Sequence, residues 1–151
     1  MNVKSKLLLP ALLFFSFTGI EAYSQTSMKS KNPFQVELNV PIEYAKINAK
    51  DVEEYAQLTL REVTAMINSI KEQKTPSFSN VFEAMDNISN KINSTSNNCF
   101  MLYWVSTDSV IRANGLAGYQ LMDSISTSLL SDKDIFTKMQ DFKKLPAYNE
   151  L

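Results

Sequence analysis

Residues 49–72, AKDVEEYAQLTLREVTAMINSIKE, show the pattern that decides the fold class of this chain. Apolar side chains recur there at three- and four-residue steps, and charged side chains occupy other positions, as in an amphipathic helix. The apolar positions are Val52, Ala56, Val63, Ile67 and Ile70, widened by Tyr55, Leu58 and Met66. Asn48 is a suitable N-cap, with Asp51 three residues further on. The sequence therefore predicts a helix from about Ala49 to Glu72.

A second helix is predicted to start after Ser77, with Asn80 at its third position, and to run over roughly 28 residues. Its middle, Asn93–Asn98, has low helix propensity, so only tertiary packing would hold it helical, and a break there is the alternative. The residues predicted to line its inner side are Phe78, Val81, Phe82, Met85, Ile88, Ile92, Cys99 and Tyr103.

A third helix is predicted to begin at Ser106, Thr107 or Asp108, any of which can cap it, and to end near Leu129 or Leu130. Its predicted apolar face consists of Val110, Ala113, Ala117, Leu121 and Ile125. Gly115 and Gly118 lie inside this helix, where each costs about 1 kcal/mol relative to Ala. We therefore expect them to mark a close helix crossing.

A fourth helix is predicted to open with Ser131 as its cap and Asp134 at the third position, and to stop before Pro146. Its predicted face is Ile135, Phe136, Met139 and Phe142. The predicted fold is therefore all-α, an antiparallel array of about four helices. The helical region spans residues 48–145, after an extended arm at 25–47 and before a tail at 146–151.

Residues 1–24 have the features of an export signal. Lys4 and Lys6 precede an apolar run at 7–20, which is too short for a stable membrane span, and Ala22-Tyr23-Ser24 fits a cleavage site. The mature chain is expected to begin at Gln25 and to be periplasmic or secreted. An uncleaved membrane anchor is the alternative.

The composition excludes several classes of function. The 151 residues include 15 basic and 16 acidic side chains, so the chain lacks the positive field of a nucleic-acid binder. It contains no His, which removes the commonest general base and the commonest zinc ligand. Its single Cys99 is expected to be buried and inert, with an intermolecular bridge as the alternative. We predict no catalytic, cofactor-binding or metal-binding residue in this chain.

Residues 100–105, FMLYWV, are apolar on every side of the predicted second helix. Such a stretch is expected to be buried on more than one side, inside the bundle or under a further domain. The alternative is a peptide-binding surface, because an uncovered apolar patch would mark a missing partner.

Four segments follow one another in a distinctive order: Asn32-Pro33-Phe34, residues 47–52 (INAKDV), residues 76–86 (PSFSNVFEAMD) and residues 131–136 (SDKDIF). This order resembles the N-terminal region of the thimet oligopeptidase, oligopeptidase A and peptidyl-dipeptidase family of zinc metallopeptidases. The family has a Pro-Thr-Phe-x-Asn-Thr segment where this chain has Pro76-Ser77-Phe78-Ser79-Asn80-Val81. The resemblance extends from about Asn32 to Leu145, and it covers about the first fifth of a family member.

The resemblance implies a helical N-terminal lobe that walls a channel for short peptide substrates. The family binds zinc through a His-Glu-x-x-His helix and a later Glu, none of which occurs here. The chain would then be truncated before the catalytic domain and inactive alone. Two alternatives stay open: a stand-alone exported helical binding or regulatory module of the same ancestry, and an unrelated exported helical-bundle interaction protein.

Overall fold

The computed structural model describes residues 32–36 and 39–150, which are all-helical and contain no strand. Four helices make up the fold: α1 (Ala49–Glu72), α2 (Ala84–Val105), α3 (Ser109–Leu130) and α4 (Lys133–Lys143). The expected all-α array of four helices is confirmed. The predicted signal at 1–24 and the start of the arm lie outside the described residues. None of the helices in the described ranges is long and apolar enough to cross a membrane.

Helix α1 begins and buries its face as its pattern predicts. The Asn48 side chain accepts from the Asp51 backbone amide at 3.1 Å, and the Asp51 carboxylate accepts from the Asn48 amide at 2.9 Å. This reciprocal pair satisfies two donors that a helix start leaves open. The buried residues of α1 are Val52, Ala56, Thr59, Val63 and Ile70.

Helix α2 is preceded by a π-helical turn, Phe78–Glu83, capped by the predicted Ser77 and Asn80. Together the two segments have the expected length and continue without a break through Asn93–Asn98. Packing holds this weak stretch, because Thr95 is buried in a 2.8 Å hydrogen bond with Thr59 of α1. The prediction that Phe78 faces inward is wrong. The wider π turn changes the helical register before α2, and the Phe78 ring is exposed.

Helix α3 is capped by Asp108, whose carboxylate accepts from the amides of Val110 at 2.7 Å and Ile111 at 3.1 Å. The apolar face predicted for α3 is correct only in its second half: Leu121 and Ile125 are half-buried and pack against the core, whereas Val110, Ala113 and Ala117 are exposed. Glycines set the inward face instead, because they let α3 approach α2 closely. The buried residues of α3 are Gly115, Gly118, Met122 and Leu129.

Helix α4 is capped by Asp132, so the prediction that Ser131 caps it is wrong. The Asp132 carboxylate accepts from the amides of Asp134 and Ile135, and it also pairs with Lys71 of α1 at 2.5 Å. Ser131 instead ends α3. The helix therefore starts at Lys133, buries Ile135 and Phe142, and leaves Phe136 61% exposed, contrary to the predicted face. Residues Pro146–Glu150 follow as a short 3-10 helix.

The core has two apolar clusters at different heights of the bundle. The larger lies toward α4 and contains Val63, Ile70, Val81, Ile88, Ile92, Met122, Leu129 and Ile135. The smaller contains Phe34, Ile47, Val52, Cys99 and Leu102, so the described part of the arm contributes to it. The Phe34 ring stacks on Tyr55 at 4.4 Å, and the Asn32 side chain donates to the Asp51 carbonyl at 2.9 Å. The last turns of α2 emerge beside this smaller cluster.

Candidate functional site

The last turns of α2 carry a partly exposed group of aromatic rings, which we call the aromatic patch: Phe100, Tyr103, Trp104 and Tyr119. Trp104 is 66% exposed and Phe100 is 43% exposed, while Tyr103 and Tyr119 are half-buried. Val105 is also exposed, and Leu102 is the one residue of 100–105 that is fully buried. The expectation that this stretch is buried inside the bundle is therefore wrong, while its burial under a further domain stays a prediction.

The rings of the aromatic patch contact one another in a continuous chain. Phe100 lies 5.0 Å from Tyr119 of α3 and 6.0 Å from Trp104, measured between ring centroids. Tyr103 lies 5.0 Å from Trp104 in an edge-on arrangement. Rings at these separations and angles attract one another, so the patch is a supported surface and not four independent side chains.

The glycine crossing explains why these rings point outward. A Cβ at Gly115 would lie 2.7 Å from the Cys99 carbonyl oxygen and 2.9 Å from the Tyr103 amide nitrogen. A Cβ at Gly118 would lie 2.7 Å from the Cys99 Sγ. The face between α2 and α3 is therefore filled by backbone and a thiol. Cys99 and Tyr103 are the α2 residues at this crossing, and Phe100 and Trp104, each one position further along the helix, are exposed.

The α2–α3 hairpin carries few charges. Each of these helices has two charged residues among 22, whereas α1 has eight among 24 and α4 has five among 11. Two charges at the junction of α2 and α3 have partners of their own, whereas Asp123 is exposed one helical turn beyond Tyr119. Asp108 caps α3, and the Arg112 guanidinium donates to the carbonyls of Ser106 at 2.9 Å and Thr107 at 3.0 Å. The hairpin thus presents a neutral, aromatic surface.

Cys99 is fully buried between α2 and α3, as the sequence predicts. Burial disfavours the thiolate and raises the pKa of Cys99 to about 11. The thiol is therefore neutral at physiological pH, and it cannot act as a nucleophile or reach a second chain.

The acidic residues of the described ranges do not form a metal centre. No group of three or more Cys, Asp or Glu side chains lies close enough there to hold an ion. The carboxylate of Asp132 has its pKa lowered, chiefly by the hydrogen bond from Lys71, which is the signature of a helix cap and ion pair. Glu54 lies within 3.7 Å of Lys50 on the solvated side of α1.

A cleft of about 590 Å³ lies between α1 and α2. Four of its polar residues are engaged with each other: Lys91 donates to Glu62 at 2.7 Å, and Thr59 shares its hydroxyl hydrogen bond with Thr95. The other residues that line it include Ser94, Asn87 and Gln35. Its chemistry is that of a partly wetted groove between two helices.

No known protein family, curated protein or solved structure matches this chain. The site is therefore described by its own geometry. Sequence reasoning singled out residues 100–105 but assigned them to the core. Tyr119, which completes the aromatic patch from α3, was not identified. The signal that points to the surface is the absence of any charged residue from 92 to 107 together with the two glycines of α3.

Proposed function

We propose that this chain is a non-catalytic helical module that binds another protein through the aromatic patch. The observation that carries the proposal is the exposure of Trp104 and Phe100 on a helix hairpin with few charges. Aromatic residues are enriched and charged residues are depleted at the centres of protein interfaces. Trp and Tyr also dominate the residues that contribute most to binding energy.

The chemistry of the remaining groups supports a binding role over a catalytic one. The sequence has no His, so neither a Ser nor Cys99 has an imidazole to accept its proton. Zinc catalysis needs three protein ligands and an open position, usually built from His and carboxylates. The engaged carboxylates described above serve as caps and ion-pair partners.

Export is part of the same proposal. The positive start, short apolar run and Ala22-Tyr23-Ser24 site of residues 1–24 support a periplasmic or secreted protein that begins at Gln25. Intact-mass measurement and N-terminal sequencing of the protein from its own cells test this. Retention of residues 1–24 in a membrane fraction would contradict it.

The N-terminal lobe of an exported zinc oligopeptidase is the second candidate, supported by the order of the four segments named above and by the uncovered aromatic patch. A catalytic domain with short peptide substrates would then be the partner that covers the patch, and zinc would belong to that domain. Reading the coding frame past Leu151 tests this candidate. A continuing sequence with His-Glu-x-x-His would support it, and its absence would favour the binding module.

Site-specific photo-crosslinking tests the binding proposal directly. A photoreactive phenylalanine analogue is placed at position 104 in the chain expressed in its own cells, and adducts are identified by mass spectrometry. The matched control carries the analogue at position 136, where the native Phe is also largely exposed but lies outside the patch. We expect a discrete protein adduct from position 104 and none from position 136. No adduct from position 104 would contradict a docking role.

A further inference from the structure

We propose that the partner of the aromatic patch is a second copy of this chain, paired through a two-fold axis. This inference rests on the proposed function, and it adds the identity of the partner. In a two-fold interface the same surface occurs on both sides, so the surface must be complementary to itself. The aromatic patch meets this requirement in charge, in chemistry and in size.

Charge is the first requirement, because like charges would meet across a two-fold axis and repel. Residues 92–131 contain three charged side chains, Asp108, Arg112 and Asp123. Asp108 and Arg112 are already bonded to backbone groups of their own chain. Near Trp104 and Phe100, two copies of this surface can therefore approach without bringing unpaired like charges together. Asp123, one helical turn beyond Tyr119, must lie at the rim, away from its copy. The charge-rich α1 and α4 do not offer such a surface.

Chemistry is the second requirement. Aromatic rings pair favourably with other aromatic rings in offset or edge-on arrangements. The patch already shows both a tilted pair, Phe100 with Tyr119, and an edge-on pair, Phe100 with Trp104. Its surroundings on α2 and in the following loop are Asn, Ser and Thr, which suit the hydrogen-bonded rim of an interface. A second copy supplies the same rings and the same rim.

Size is the third requirement. Trp104 is 66% exposed, Phe100 is 43% exposed, and Val105, next to Trp104 in sequence, is 65% exposed. Since a full aromatic side chain has an area of about 150–250 Å², the exposed apolar area of these three side chains is on the order of 300 Å². A stable interface buries about 800 Å² per partner, with an apolar centre and a polar rim. The patch therefore supplies the centre of a standard dimer interface.

A lipid surface is another apolar environment that could cover these rings. The small number of basic residues around the patch disfavours it. Helices that lie on membranes carry Lys and Arg around their apolar face. Residues 92–131 contain one basic residue, Arg112, and its guanidinium is held by two carbonyls of its own chain. The hairpin thus lacks the electrostatic part of membrane binding.

Sedimentation equilibrium of the purified full chain, over a wide concentration range, tests the pairing. We expect a reversible monomer–dimer equilibrium. Trp104→Glu should weaken it by about a hundredfold, because a charge would enter the centre of the interface on both sides. Phe136→Glu is the matched control, with a similarly exposed aromatic residue outside the patch, and it should leave the dissociation constant unchanged. Circular dichroism confirms that both variants are folded.

Two results would overturn the pairing: a wild-type chain that is monomeric over the whole range, or a dimer that Trp104→Glu does not weaken. The crosslinking experiment separates this failure from failure of the proposed function. An adduct of the chain with itself supports both proposals. If the chain is monomeric and the only adduct is with a different protein or with lipid, the pairing is overturned. An adduct with a different protein still supports the proposed binding module. No adduct overturns both.

Discussion

Helix α1 and the α2–α3 hairpin differ in which of their side chains are buried. In α1 the buried positions are mostly apolar, and the eight charged residues are exposed or half-buried. In the hairpin two glycines and a cysteine lie at the crossing, and the largest rings lie outside. This difference shows that the most apolar face of a helix is not always the face that it buries in the core. Where small residues permit a close approach, large residues are displaced to the surface.

Of the changes considered, Gly115→Ala is expected to destabilise the α2–α3 crossing most strongly. The added methyl group would meet backbone atoms of Cys99 and Tyr103, which cannot rotate away, so α2 and α3 would have to separate. We expect a loss of about 3 kcal/mol in the free energy of unfolding, as for overpacked cores. In an open helix the same change is stabilising by about 1 kcal/mol. Urea denaturation measures the effect.

Gly118→Ala provides the control for that result. Its methyl group would meet the Cys99 Sγ, an atom that Cys99→Ala removes. The double variant should therefore recover much of the loss caused by Gly118→Ala alone, whereas Cys99→Ala should not rescue Gly115→Ala to the same extent. Equal rescue at both positions would contradict the backbone contact at Gly115, and a stabilising Gly115→Ala would show that the crossing is not close.

Phe82→Ala tests which side of the π turn faces the core. The ring of Phe82 is half-buried and lies 5.5 Å from the buried Phe142, so its truncation should cost about 2 kcal/mol, less than for a fully buried Phe. Phe78→Ala is the matched control, because that ring stacks on Phe82 from the exposed side. We expect the control to cost well under half as much in thermal or urea unfolding. Equal losses would mean that the turn is in a different register.

The Asp132–Lys71 pair joins α4 to α1 and is predicted to depend on pH. The hydrogen bond from Lys71 lowers the pKa of Asp132, and the same bond raises the pKa of Lys71. The stabilisation by Asp132 is therefore present above its ordinary pKa and is lost as the pH falls through the lowered value. The stabilisation by Lys71 is lost as the pH rises through its raised pKa.

Asp132→Asn isolates this electrostatic part, because an Asn side chain still caps a helix. We expect the variant to be less stable than the wild type at neutral pH, by up to about 1 kcal/mol for this half-buried pair. The difference should vanish in strong acid, as measured by urea midpoints against pH. A difference that stays constant with pH would show that the ion pair contributes nothing.

The parts of the fold that follow from local chemistry were predictable from the sequence. The boundaries of α1, the caps at Asn48 and Ser77 and the glycine crossing all depend on neighbouring residues. The inward face of the first half of α3 and the exposure of Phe136 on α4 were not predictable in the same way, because they depend on which helix approaches closely. The ion pair of Asp132 with Lys71, 61 positions away, is also non-local.

The candidate site was only half predictable for the same reason. The apolar run at 100–105 was visible in the sequence, but its direction depends on the crossing that Gly115 and Gly118 create. Tyr119 joins the patch from a different helix, with nothing in its own neighbourhood to mark it. An apolar run opposite a pair of helical glycines, with few charges nearby, is the pattern that would have indicated a surface.

Quenching of Trp104 fluorescence tests whether the aromatic patch lies on the surface of the folded chain, because Trp104 is the only Trp in the sequence. Acrylamide quenching is measured on the folded chain at successive dilutions and extrapolated to the monomer. A Trp104→Phe/Phe136→Trp double variant provides a reference Trp at another exposed position. We predict that Trp104 in the monomer is as accessible to the quencher as this reference. A blue-shifted, quench-resistant Trp104 at every dilution of the folded monomer would place the ring in the core and contradict the account.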